Sequence, residues 1–156
     1  MGDDGKARAD ARKRVLGWGI ACAEIMPGVD ISRDLRVVAD ADGRIDFARV
    51  EGIANLGQDL TIALSTALGS DPFDTTFGFD GLRALVEETH PVMQRERVRL
   101  AVMAVLRRDA RVRRIIDIEL GQSGGARTRA LGVDVRFEAQ SGDELTLALG
   151  GVATGA

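Results

Sequence analysis

The chain has 156 residues, 45% of them hydrophobic and 29% charged, enough to bury a core without disulfide staples. Its 21 basic and 24 acidic side chains leave a net charge of −3, too small to steer a partner over distance and without the bulk basicity that nucleic acid favours. One Cys excludes an internal disulfide, one His and one Cys fall short of a zinc site, and 4% aromatics with no Tyr are poor material for stacking bases or sugars.

No apolar run approaches the ~20 residues of a membrane span. The charged start MGDDGKARADARKR lacks the apolar core of a secretory signal. The expectation is a cytoplasmic chain that leaves its cell, if at all, inside a larger particle.

In chain order, residues 1–14 mix Asp3, Asp4 and Asp10 with Lys6, Arg8, Arg12, Lys13 and Arg14 and read as a flexible charged arm. Residues 15–150 read as a single domain, and 151–156 as a disordered tail. AEIMPGVDIS reads as a loop. Strands are expected at about 34–39 and 44–50, joined through Asp42–Gly43, a pair suited to a tight turn because Gly adopts positive φ freely. The period then changes. Ile53, Leu56, Leu60, Ala63, Leu64 and Ala67 recur at helical spacing and give a helix over about 52–68, stopped by Gly69. GSDPFDTTFGF reads as a loop and FDGLRALVEE as a short helix. Pro91 suits a first helical position. Val98, Ala101, Val102, Val105 and Leu106 form the apolar face of a helix over about 91–109.

The remainder alternates as strands do. Val112, Arg114, Ile116, Ile118 and Leu120 share one face of 112–120. Leu131, Val133, Val135 and Phe137 share one face of a second strand, and Leu145, Leu147 and Leu149 one face of a third. GQSGGA and QSGDE are the connections. The order predicts an α+β fold: an N-terminal hairpin, then two to three helices packed on a C-terminal antiparallel sheet with one solvated face.

Reactive constellations are sparse. Cys22 reads as a small buried apolar residue and His90 as an exposed helix-boundary residue. Glu87–Glu88 and Asp40–Asp42 could form an acid–base pair for glycan hydrolysis, but among 24 acidic residues such pairs arise without function. GQSGGA lacks the Lys-Ser/Thr of a phosphate loop and precedes a strand rather than a helix. The densest cluster is basic: Arg95, Arg97, Arg99, Arg107, Arg108, Arg111, Arg113 and Arg114. It offers a nucleic-acid patch, a solvated face ion-paired with Glu96, Asp109, Asp117 and Glu119, or a docking surface of bidentate guanidinium groups.

RIDFARVEGIANLGQDLTIALSTALGSDPFDTTFGFDGL, an Arg-rich amphipathic helix and VLRRDARVRRIIDIEL follow one another in an order that resembles the contractile-tail baseplate wedge family often labelled lysozyme-like. The matching residues are Asn55, Leu56 and Gln58, then Gly69, Phe77 and Gly78, then Leu106, Asp109, Arg111 and Val112, within about residues 28–137. Phage members place a Glu and an Arg soon after the loop glycine. Here Ser70, Asp71, Pro72 and Phe73 stand there, a variant closer to the extracellular contractile injection particles.

The resemblance implies a structural protein rather than an enzyme, with no cofactor and no metal. It implies six copies around the tube, with the spike or hub nearby and with neither nucleic acid nor membrane as partner. Gly69, Asp71, Phe77, Gly78, Phe79 and Asp80 would form a loop docking on the wedge proteins. Asn55, Leu56, Gln58, Asp109 and Arg111 are the family-motif residues. Ile116, Ile118, Val133, Val135 and Phe137 would be inner-face residues of the strands that meet the sheath protein.

Overall fold

A computed structural model describes residues 3–25, 33–123 and 130–153. The fold is α+β, with four helices and antiparallel sheets among the described residues. The chain divides into two compact units, residues 1–59 and 60–156.

The first unit opens with helix α1 (Asp3–Leu16), where the sequence suggested a flexible arm. Ala and long unbranched Lys and Arg side chains favour this helix. Six short strands follow: β1 (Trp18–Ile20), β2 (Cys22–Glu24), β3 (Arg33–Leu35), β4 (Val37–Ala39), β5 (Ile45–Phe47) and β6 (Arg49–Glu51). They form three two-stranded ladders: β1 with β6, β2 with β3, and β4 with β5.

These ladders arise from three extended segments that each change partner at the midpoint. The midpoint residues Ala21, Arg36 and Ala48 bond in a closed ring. Ala21 N–H donates to Ala48 O, Ala48 N–H to Arg36 O, and Arg36 N–H to Ala21 O, each at 2.8 Å. Every inward-pointing peptide group of the junction is thereby satisfied.

The expected hairpin is the β4–β5 ladder, with Gly43 at φ 76°. Asp40 Oδ1 closes its turn by accepting from Asp42 N at 2.9 Å and Arg44 N at 2.8 Å. The expected long strands 34–39 and 44–50 are thus each broken in two by the junction. Of the AEIMPGVDIS loop, Ala23 and Glu24 belong to β2, and 26–32 lie outside the described residues.

Helix α2 (Ile53–Ser65) begins in the first unit and ends in the second. In the second unit come α3 (Gly81–Glu87), α4 (Pro91–Arg108), β7 (Val112–Ser123), β8 (Ala130–Ala139) and β9 (Glu144–Ala153). The last strand reaches into the segment expected as a tail; 154–156 lie outside the described residues. The sheet order is β7-β8-β9, with β8 central. Val98, Val102, Val105 and Leu106 of α4 are buried, as are Val133, Val135, Phe137 and Ala139 of β8, while Asp134 and Arg136 on the other face of β8 are exposed.

Strict alternation along β7 fails. Register shifts fall between Val112 and Arg114 and between Ile115 and Asp117. Each bulge adds one residue and reverses the faces beyond it. Ile115, not Ile116, stands opposite Phe137, and Ile118 opposite Val135. Ile116, expected in the core, is 36% exposed against 7% for Ile118.

Candidate functional site: an ordered loop and an open sheet edge

The loop after α2 is built by its own backbone and two aspartates. Phe79 N–H donates to Thr66 O at 2.8 Å, Leu68 N–H to Phe79 O at 3.2 Å and Gly69 N–H to Phe77 O at 3.2 Å. Asp71 Oδ1 accepts from Phe73 N at 2.8 Å. Asp74 Oδ1 accepts from Thr76 N at 2.9 Å and from Thr76 Oγ1 at 2.7 Å. Such Asx turns hold the chain where no regular ladder can. Arg108 of α4 donates to Thr76 O.

Among the residues expected to form this loop, Gly78 and Phe79 are buried and Phe77 is half-buried. Asp71 bonds the backbone as expected. Asp80 at the start of α3 makes no side-chain cap, and Asp74 takes the role anticipated for it. Sequence reasoning missed Phe73, which is 98% exposed. An apolar residue after a proline has no periodic signature, but two aspartates placed to tie the backbone around it are a usable signal.

Of the motif residues, Leu56 is fully buried, and buried Asn55 donates from Nδ2 to Leu16 O at 3.2 Å. Gln58 bridges the outer edge of the three-way junction. Its Oε1 accepts from Cys22 N at 2.7 Å and its Nε2 donates to Ile20 O at 2.9 Å. One side-chain amide thus replaces the strand neighbour that Ile20 and Cys22 lack on that side. Gln58→Ala should lower the unfolding free energy by about 1–2 kcal/mol, since two peptide groups lose a partner. Urea unfolding with an unchanged midpoint would show that the clamp contributes nothing. Cys22, expected to be buried, is half-buried.

Asp109 and Arg111 form the corner from α4 into β7. Arg111 Nε reaches Asp109 Oδ1 at 2.9 Å and Nη2 reaches Oδ2 at 2.6 Å, while Arg111 N–H also donates to Oδ1 at 2.9 Å. Burial pushes the Asp109 carboxyl up, but the hydrogen bonds and charge of Arg111 outweigh it and hold the group below its ordinary 3.8. A carboxyl depressed in the folded state stabilises above its unfolded pKa, and that contribution is lost as pH falls through the folded value. Asp109→Asn should therefore cost about 1–2 kcal/mol at neutral pH, with the gap to wild type narrowing below about pH 4. Parallel acid limbs for the two proteins would refute this.

Glu51, through a hydrogen bond from Lys13, and Asp74, through those from Thr76, are likewise shifted down, the opposite direction from a general acid poised near neutrality. Asp40 is occupied in its turn, and Glu87 and Glu88 both pair with Arg97, at 3.4 and 3.9 Å. Exposed His90 precedes α4 as its N-cap residue. Among the described residues, no group of three or more His, Cys, Asp or Glu is placed to hold a metal ion, and no helix is long and apolar enough to cross a membrane.

The arginine cluster is largely spoken for. Arg97 pairs as above, Arg99 with Glu96, Arg111 with Asp109, and Arg113 and Arg114 both with Glu138 at 2.9 Å. Arg108 serves the loop. Arg95 and Arg107 have no ion pair with a described residue.

Ile118, Val133, Val135 and Phe137 line the buried face of the C-terminal sheet, without Ile116. The outer edges of β7 and β9 pair with no further described strand. Two bulges disrupt β7, whereas β9 pairs without a shift from Glu144 to Leu149. Ala139 N–H donates to Asp143 O at 2.9 Å. Counting by twos from that bonded pair, Leu145 and Leu147 face β8, and the peptide groups of Glu144, Thr146 and Ala148 point to the free edge.

No family model and no curated protein matches the chain.

Proposed function

We propose that this chain is a structural, non-catalytic subunit of the baseplate of a contractile injection particle, present in six copies, joining wedge proteins to the first sheath ring. The observation that carries this reading is the C-terminal antiparallel sheet with the regular outer edge of β9, which no described strand pairs. An open edge offers a row of N–H and C=O groups to an added strand, and side chains at alternate positions set its register. A strand from the sheath protein would complete the sheet there and so start sheath assembly. The resemblance in the order of the motifs supports the choice of machine.

In this reading the loop is the wedge-facing element. Phe73 is its contact residue, displayed on backbone already fixed by Asp71 and Asp74, while Phe79 anchors the loop from inside. An exposed, pre-ordered aromatic loses little entropy on binding.

The test is electron microscopy of particles from cells making the chain with a bulky tag at its N-terminus. Six tag densities at the sheath-proximal end of the baseplate are expected. Tag density elsewhere, or particles without the chain, would overturn the reading.

A further inference from the structure

We propose that the outward face of the three-way strand junction is a self-association surface, covered in the free chain by the same face of a second copy. Residues directly opposite in a ladder point to the same side of the sheet. Ile20 stands opposite Arg49, Phe47 opposite Val37, and Leu35 opposite Cys22. Each segment runs extended through its midpoint, so period-two alternation puts Ile20 with Cys22, Leu35 with Val37, and Phe47 with Arg49 on one side. The assignment closes on itself around the ring. Trp18 and Ile45 extend the same face outward. The Arg49 guanidinium lies 4.1 Å over the Trp18 ring, as a shared face requires. The opposite face is the inner one, where Gly19 stands against Asn55 of α2.

The outward face is apolar and uncovered. Trp18, Ile20, Leu35, Val37, Ile45 and Phe47 are each between 42% and 77% exposed. The apolar residues buried in the same unit, among those described, are Leu16, Ala21 and Leu56. Units of about 60 residues hide only about 60% of their unfolded surface, and oligomerisation is one common way to complete them.

Area points to a second copy. At about 150–250 Å² for a large side chain, these exposures leave about 600 Å² of apolar surface on one face. Two such faces in contact remove about 1,200 Å², which reaches the range of stable interfaces before any rim contact is added. Charge does not select another class of partner. Arg33 pairs with Glu24 at 3.1 Å, and Arg49 and Lys13 share Glu51 at 3.7 and 2.6 Å. The rim therefore carries both signs, already matched within the chain, and two copies meet without a block of like charge. Anionic lipid and nucleic acid call for unmatched basic groups beside the apolar ones. The stacked Arg49 also holds the indole in place before contact, which lowers the entropy lost on association.

This contact is independent of the baseplate reading and is measured on the purified full-length chain. Trp18 is the one Trp of the sequence, so its emission reports directly on the face. Sedimentation velocity should show a monomer–dimer equilibrium at or below about 100 µM, with Trp18 emission moving to shorter wavelength as the dimer forms. Ile45→Glu and Phe47→Glu should each raise the dissociation constant about tenfold or more and keep the emission at its monomer wavelength, with circular dichroism unchanged for at least one of them. Val86→Glu is the control. Val86 lies in α3 of the second unit and is 85% exposed, and its substitution should change neither reading.

A chain that stays monomeric at about 100 µM would overturn the proposal. In that case, binding of phosphatidylglycerol vesicles that Ile45→Glu abolishes would make the face a membrane contact instead. A dimer that forms without a change in Trp18 emission, that persists in a folded Ile45→Glu or Phe47→Glu variant, or that Val86→Glu breaks would place the contact elsewhere and overturn it as well. So would open-ended growth past the dimer, since one self-complementary face closes at two copies.

Discussion

Gly78→Ala should lower the unfolding free energy by about 2–5 kcal/mol, and in a weakly stable background it should leave no folded protein. Gly78 has φ 110°, a conformation that L residues rarely adopt. A Cβ built there would stand 2.7 Å from Thr66 O and 2.8 Å from Ala67 O. Both obstacles are backbone atoms. Thr66 O is further fixed by the hydrogen bond from Phe79 N–H, so it cannot withdraw without breaking the parallel bridge between Ala67 and Phe79. Left-handed strain of about 1–2 kcal/mol adds to overpacking of about 1–3 kcal/mol.

Gly43→Ala is the control. Its φ is 76°, yet nothing lies within 4 Å of the added methyl, so only strain of about 1–2 kcal/mol remains. Urea midpoints of the two variants measure the difference. Equal midpoints would mean that the loop yields to the methyl group and is not the rigid element required by the proposed wedge contact.

Periodicity made part of this fold legible and concealed another part. The core faces of α2 and α4 stand out because apolar residues three and four apart have one explanation, and the Asp42–Gly43 turn because it needs a residue at positive φ. The three-way junction is invisible for a physical reason. Partner exchange at Ala21, Arg36 and Ala48 changes where the peptide groups bond, and leaves the alternation of side chains along each segment undisturbed. The bulges in β7 are hidden because RRIIDIEL places apolar residues at both 115 and 116, so either register looks satisfied. The extent of α1 is less legible, because dense charge masks the helix propensity of Ala, Lys and Arg. In the loop, Phe77 and Phe79 are legible as anchors, and of the two rings Phe79 is buried and Phe77 half-buried. Phe73, whose proposed contact role rests on its exposure alone, is not legible there.

Thr146→Pro should give particles with baseplates and tubes but no sheath. Thr146 lies in β9, and its N–H points away from β8 by the pairing that starts at Ala139 and Asp143. A proline there removes a donor that no described strand uses and introduces a ring that fills the approach of an added strand. Edge positions tolerate proline, so the isolated subunit should keep its helical and strand content and lose about 1 kcal/mol or less of stability.

Asp134→Pro supplies the contrast. Asp134 sits in central β8 opposite both Glu119 and Ala148, so the substitution breaks a ladder bond and should unfold the sheet. Electron microscopy of particles from cells carrying Thr146→Pro, with the variant shown by immunoblot to be present in the baseplate, measures the outcome. Sheath of normal length on such particles would mean that the sheath does not dock on the β9 edge. Loss of the baseplate together with the sheath, from a variant that is folded in isolation, would mean that β9 meets a wedge protein instead.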